Sequence, residues 1–424
     1  MGTDATGTDI PDADAGNDIR MSAVTVDITP QGPVRLGGFE TLRPTTDTVD
    51  RPIEVNLVEL TLSGSERLLL VSTDSLYGGQ LASGLSATTG VPRERILVMG
   101  SHTHFAPSVD SGVVGLGPTS PEYVRWIVER CAQALRAAPR RPGPKLSWRA
   151  GTCSGLIANR RRPTLGVGIP LPKVGRTVSA PHGRGFVDDT VRVATLEVEG
   201  VVTAVIWQMS CHPVVAPEPN VISPAFPGEV RNALRREYGS DVPVLFVQGF
   251  SGDLRENSAS RRPPRRLRQF LYYCVAGGVR FGEQTPEDYA SWCARLTERV
   301  MEIAREPAPK VPLEVASSRT ELLPPGWSRP AAMHLVRLTR DLAVLGVNAE
   351  VVGCRVADLS SVIGCEVMPA GCCDESIGYW PTDAMRRRGG YEVVYSSQFF
   401  PALDWSKAEG ADAVWSRLLR SLVG

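Results

Sequence analysis

The segment Gly100-Ser101-His102-Thr103-His104-Phe105-Ala106-Pro107 holds two of the chain's five histidines, two residues apart and directly after an apolar run. Neutral imidazole ligates metals, and imidazole exchanges protons near neutral pH. In extended backbone, residues i and i+2 face the same way. His102 and His104 are therefore expected to point into one cleft. His212, in Ser210-Cys211-His212-Pro213, follows another apolar run. Three of five histidines at strand exits fit metal binding or catalysis better than core packing. His182 and His334 lack that context and read as surface or structural residues.

Carboxylates stand at similar exits. Glu350 follows Leu342–Val347 and by position suits the first turn of a following helix. Asp74 follows Arg67–Ser72 and either orients a histidine or closes a turn. Asp253 follows Val242–Gln248 and either acts at the site or stabilises its own glycine-rich turn.

The elements that must carry these residues are short aliphatic runs bounded by turn residues, as buried strands are. Besides those above, Ser22–Thr29, Ile96–Gly100 and Val202–Met209 read as strands. Helical periodicity appears over Pro121–Ala137, Pro227–Tyr238, Pro286–Arg305, Val351–Val362 and Ala408–Leu422. The order predicts an α/β fold with a mixed sheet core flanked by helices. A hairpin from Met333–Arg340 into Leu342–Val347 makes part of the sheet antiparallel. No internal repeat and no dividing linker are evident, so residues 22–424 read as one domain.

With 42% apolar and 22% charged residues, the 424-residue chain has the balance of a globular protein. Its formal net charge of zero provides no global field toward nucleic acid or membrane. The cluster Arg261–Arg268 reads as a solvated loop. No apolar run is long enough to span a bilayer. Residues 1–21 are acidic and rich in Gly, Ala and Asp, which predicts a disordered tail without a secretory signal and leaves Met21 as a candidate start. Nine cysteines without a CxxC pair fit a reducing, cytoplasmic setting. Adjacent Cys372 and Cys373 read as buried thiols.

Taken together, the segments resemble a family. SHTHFAP is similar to the THTHSGP motif of neutral/alkaline ceramidase-like hydrolases. SCHPVV followed by NVISPAFPGE resembles their histidine-proline segment, and FVQGFSGDLREN their glycine-aspartate motif. VNAEVV falls where the family carries Pro-Gly-Glu, and Tyr379-Trp380-Pro381-Thr382 with Tyr391-Glu392 resembles its tyrosine segments. The matches keep family order from Ser22 to Ser397. The resemblance implies the fold of the ceramidase N-terminal domain. It also implies one zinc ion held by His102, His212, Glu350 and Tyr379, with His104 beside the metal and substrate. Tyr391 and Tyr395 lie close enough in sequence to compete for the tyrosine role. Zinc takes nitrogen and oxygen ligands in near-tetrahedral geometry and lowers the pKa of water from 15.7 to about 7.

Departures from the family shape the expected substrate. Arg255 stands where ceramidases carry an essential serine, and Phe105-Ala106 replaces the Ser-Gly of the HxH motif. Asn159-Arg160-Arg161-Arg162-Pro163 replaces Asn-Arg-Ser-Pro. The chain has no room for the C-terminal β-sandwich of full-length ceramidases. Arginine offers a fixed fork for carboxylate or phosphate. The expectation is hydrolysis of an amide bond in a small, polar, anionic substrate rather than ceramide. Arg255, Asn159, Arg160 and Arg161 would bind that substrate, and His104, Asp253 and Arg255 would serve catalysis. Alternatively, Arg255 pairs with Glu256 or Asp253. An esterase, a lactonase or a biosynthetic acyl transferase would use the same zinc site, and a non-catalytic metal- or ligand-binding protein is the reading from another class. Partners beyond the substrate are not expected: no nucleic acid and no membrane insertion. The oligomeric state stays open.

Overall fold

The computed structural model describes residues 19–39, 43–164, 176–400, 403, 405 and 410–423. Three mixed sheets form its framework, where the sequence suggested one. The first holds β1 (Arg20–Asp27), β2 (Glu54–Thr61), β3 (Arg67–Thr73) and β4 (Ile96–Gly100). The second holds β5 (Lys145–Thr152), β6 (Thr190–Val198), β7 (Val201–Met209) and β8 (Val244–Gln248). The third holds β9 (Ala316–Leu322), β10 (Ala331–Thr339), β11 (Leu342–Val347) and β12 (Glu366–Ala370).

Each sheet is an antiparallel run closed by one parallel pair: β3 with β4, β7 with β8, and β11 with β12. Parallel neighbours need a crossover. Helix α1 (Leu81–Thr89) lies within the first, with α2 (Pro121–Ala137) following β4. Helix α3 (Phe226–Tyr238) lies within the second, and a five-residue helix at Leu359–Ile363 within the third. Further on, α4 (Leu267–Val275), α5 (Pro286–Arg305) and α6 (Ala411–Val423) complete the helices used below. Helix α2 starts on a Ser120 cap and α5 on a Thr285–Asp288 capping box, each with proline in the first turn.

The three sheets share one core. Leu70, Leu97 and Met99 of the first meet Ile206, Leu245 and Val247 of the second, and Val344, Met368 and Ala370 of the third. Burying one such side chain contributes roughly 1.5–3 kcal/mol. Strands β4, β8 and β11 are buried along their whole length, which explains their unbroken apolar runs. The parallel pairs thereby bring their carboxyl ends together, where open α/β sheets usually form clefts.

Three expectations need correcting. The first strand begins at Arg20, and Met21 is fully buried against the second and third sheets rather than ending a tail. The remainder of the expected tail, residues 1–18, lies outside the described residues. Val351–Val362 is not one helix. Glu350–Val351 pairs in parallel with Tyr379–Trp380, and only a 3-10 turn at Gly353–Val356 and a five-residue helix at Leu359–Ile363 follow. The pairing takes the backbone that a helix start would need. The last helix begins at Ala411, and 406–409 lie outside the described residues. Among the described residues, no helix is long and apolar enough to cross a membrane.

Candidate metal centre

The loop after β4 is tied to the loop after β3. Ser101 N–H donates to Thr73 O (2.8 Å) and His102 N–H to Ser75 O (2.9 Å). His102 sits at φ 64°, in the left-handed region. This corrects the extended-backbone argument for the HxH pair, because a strained turn, not strand alternation, aims the first ring. His104 follows with its ring centroid 5.1 Å from that of His102. Gly38, at φ 96°, packs against the His104 ring, where an added Cβ would stand 2.5 Å from Cγ. Only glycine allows that approach.

His212 enters from the exit of β7, its N–H bonded to Leu254 O (3.2 Å). His102 Nδ1 lies 2.9 Å from Leu76 O, and His212 Nδ1 lies 2.8 Å from Ser251 O. A carbonyl only accepts, so each Nδ1 carries the proton and each Nε2 presents a lone pair. The two Nε2 atoms face each other at 3.1 Å. Glu350 Oε2 lies 3.3 Å from His102 Nε2 and 3.2 Å from His212 Nε2, and receives no hydrogen bond. Tyr379 Oη is 3.5 Å from His212 Nε2.

These donor atoms have the spacing of a cation's ligands. Atoms about 2.1 Å from a tetrahedral zinc lie about 3.4 Å apart. The observed 3.1, 3.2, 3.3 and 3.5 Å bracket that value. Lone pairs and a carboxylate converging in a buried place repel one another unless a cation lies between them. His102 and His212 are each 1% exposed, Glu350 3% and Tyr379 6%. A looser group of His102, His104 and His212, with ligand atoms all within 4.8 Å of one another, could also hold a metal ion. The tighter set leaves both His104 ring nitrogens without a hydrogen-bond partner.

Burial dominates the electrostatics of the group. Burial, with His102 and Arg160 nearby, pushes the His212 imidazole down to about 4, so it is neutral at neutral pH. Burial also holds His104 well below the usual histidine range. Burial opposes ionisation of Glu350, and positive charge on the imidazole side outweighs it and holds the carboxyl well below the ordinary range; with both rings neutral, a cation has to supply that charge. Burial, then the Glu350 charge, raises the Tyr379 and Tyr77 phenols well above theirs.

The sequence missed Tyr77. Its hydroxyl donates to Glu350 Oε1, leaving Oε2 free, and its ring lies 5.4 Å from that of His102. Its position just beyond the exit of β3, beside Asp74, was the signal available. Asp74 itself touches no histidine. It accepts from Arg231 (2.7 Å) and Glu54 N–H (2.9 Å), tying α3 to the first sheet. Arg43 was also missed; it donates to His104 O and lies over the rings of Phe39 and Phe105.

The expected substrate residues separate. Arg160 reaches the centre, donating to Tyr379 Oη (3.2 Å), Gly252 O (2.6 Å) and Glu392 (2.9 Å). Arg161 shares Glu392 but is buried and spends its other nitrogen on Gly389 O (2.6 Å). Asn159 is used up internally, bonding Phe186 O, Asp253 and Arg161 N–H. Asp253 is likewise held by Asn159 (2.8 Å) and Gly353 N–H (2.7 Å), and its carbonyl accepts from Arg160 N–H (2.8 Å). It is buried in the scaffold under Arg160, away from the reacting space. Arg255 turns elsewhere. The strand Leu254–Glu256 pairs with Ile157–Asn159, and its guanidinium lies over Phe281 (4.5 Å), lining a different cavity. Alternation along that strand sends its side chain away from the metal centre.

The remaining calls fall as follows. His334 bonds Ser317 Oγ (2.8 Å) in the core, and Cys372 and Cys373 are buried thiols. Arg261, Arg262, Arg265, Arg266 and Arg268 are exposed around the start of α4.

A scan against protein-family models finds no match, and a search of curated proteins finds none. Among solved structures, the chain is similar to neutral ceramidase from Pseudomonas aeruginosa, with TM-score 0.69 and 15% identity over 96% of this chain and 74% of that one. It is also similar to a ceramidase complexed with C2, with TM-score 0.67 and 14% identity over the same shares of each chain. At this identity the likeness establishes the fold. The mixed α/β architecture is that of neutral ceramidase, and the resemblance read in the motifs holds at that level.

Proposed function

We propose that the chain is a zinc-dependent hydrolase that cleaves an amide bond in a small, polar, anionic substrate. The observation that carries this reading is the convergence of His102 Nε2, His212 Nε2, Glu350 Oε2 and Tyr379 Oη at tetrahedral spacing. When bound, zinc supplies Lewis acidity and makes water acidic enough to attack near neutral pH.

The protein's own residues do the rest. The carbonyls of Leu76 and Ser251 fix the tautomers of His102 and His212. Tyr77 holds one oxygen of Glu350, so the other faces the ligand point. His104 is neutral, with one ring nitrogen able to donate and the other to accept. It can donate to a substrate carbonyl oxygen as charge develops there, or pass a proton to the leaving nitrogen. A protein that only stored metal would have no use for a buried imidazole left free of partners, which favours catalysis over simple binding.

Arg160 and Arg161 share one carboxylate, Glu392, leaving one net positive charge beside Tyr379. Arg43 adds a second cation behind His104. That excess supports an anionic substrate. The anchoring role assigned to Arg255 passes to Arg160.

The test joins metal content with turnover. As-purified protein should contain about one zinc per chain. A panel of small N-acyl and O-acyl compounds, each with and without a free carboxylate, should show preference for the charged amide. Chelation should abolish turnover and zinc should restore it. Full speed after exhaustive chelation would end the proposal, and faster cleavage of the O-acyl series would redirect it to an esterase.

A further inference from the structure

We infer that the cavity between the strand Leu254–Glu256 and helix α4 is a second ligand site, which takes a small oxyanion, carboxylate or phosphate, on Arg255 and Arg280. The cavity has a volume of about 270 Å³ and is lined by Arg255, Arg280, Gln269, Tyr272, Tyr273 and Phe281 among others. None of His102, His104, His212, Glu350 or Tyr379 lines it.

Arg255 is the anchor. Among the described residues its side chain donates no hydrogen bond, and its Nε is buried without a partner. It forms the ion pair with Glu256 that the sequence offered as an alternative, but at 3.7 Å, a distance too long for a hydrogen bond. Glu256 is fully buried and does not line the cavity. The ring of Phe281, 4.5 Å from the guanidinium carbon, holds the group in place. A partly buried guanidinium that donates to no neighbour is matched by a planar or tetrahedral oxyanion.

Arg280 supplies the second charge. It is fixed by Nε donating to Arg262 O (2.9 Å), and among the described residues its one ion-pair partner, Glu283, is 4.0 Å away on an exposed side chain. Gln269 and the tyrosines of α4 give polar edges on the opposite wall. The volume suits a molecule the size of phosphate or a short dicarboxylate, and is small for an extended ligand.

The site is a separate pocket, yet it touches the metal centre through the backbone. Arg255 pairs with His212 in a parallel bridge, and His212 N–H donates to Leu254 O. An anion on Arg255 therefore sits one backbone pairing from a metal ligand.

Calorimetric titration of the zinc-loaded protein, with sodium phosphate and disodium succinate as separate titrants, tests the assignment. One saturable site is expected for at least one titrant, and the tighter of the two identifies phosphate or carboxylate chemistry. Arg255→Gln should weaken binding at least tenfold. Arg255→Lys, which keeps the charge but loses the fork, should weaken it less. Arg280→Gln gives a second variant, whose folding a far-UV spectrum and a thermal melt check, and it should weaken binding several-fold. Binding that survives Arg255→Gln and Arg280→Gln, or that disappears when zinc is stripped while surviving Arg255→Gln, would overturn the proposal. So would the absence of saturable binding by either titrant at millimolar concentration.

Discussion

Replacing Tyr77 by phenylalanine removes one hydroxyl from the metal centre and almost nothing else. The side chain is 1% exposed, and its ring packs on His102 (5.4 Å) and Phe400 (6.3 Å), contacts that phenylalanine keeps. What disappears is the donor to Glu350 Oε1. A hydrogen bond to a charged group contributes about 1.5–3 kcal/mol. At about 1.4 kcal/mol per decade, that is roughly 10- to 150-fold in an equilibrium constant. Loss of a residue that orients a metal ligand typically costs about 10- to 100-fold in affinity. The phenol bonds Glu350 with or without metal, so part of the loss falls on the metal-free protein too. Zinc affinity should therefore fall about tenfold, toward the lower end, and the metal-free protein should melt at lower temperature. Competition with a chromogenic zinc chelator measures the first, and a thermal melt of stripped protein the second. Zinc affinity within twofold of the parent, in a folded variant, would refute the idea that Tyr77 positions Glu350.

Four further outcomes follow from the geometry. His212→Ala should lose stoichiometric zinc, as read by elemental analysis, because it removes a donor 3.1–3.5 Å from three other ligand atoms. Arg160→Gln should raise KM about tenfold for a carboxylate-bearing amide and less for its neutral analogue, since it removes the net cation beside Tyr379. Gly38→Ala should cut kcat while leaving zinc bound, because the new methyl displaces His104 but no tight-set ligand. Burial and Arg319 push the His334 imidazole down to about 3, from an ordinary value near 6.5. Between those values the unfolded chain binds the proton and the folded one does not, so stability rises with pH across that window and is lost as pH falls below about 6.5. From pH 7 to pH 5 this one group removes about 2 kcal/mol, and denaturant melts of His334→Gln should show a correspondingly flatter acid limb.

Much of the proposed centre could be named from the sequence because its residues follow buried strands. Ile96–Gly100 and Leu342–Val347 have the observed bounds, since continuous aliphatic runs ended by polar turns leave little freedom in placing a strand. His102, His212 and Glu350 could be named because each stands within three residues of such an end. Side-chain direction was not legible. His102 reaches the site through a positive φ that no periodicity announces. Arg255 and Arg160 looked alike as cations expected to bind one substrate, but Arg160 reaches Tyr379 while strand pairing turns Arg255 to a different cavity. Tyr77 had no motif at all, because its partner lies 273 residues away.

By itself, the sequence determined the local matters: where apolar runs become strands, where capped segments become helices, and which chemistry-bearing residues stand at the strand exits. Those properties depend on near neighbours and on burial, both of which composition records. The tertiary structure alone decided that three parallel strand pairs from three sheets stack on one core and aim their ends together. It also decided which way each donor points and which arginine faces the candidate centre. These depend on contacts between residues hundreds of positions apart, where one reversed side chain moves a charge from the site to the far side of a strand.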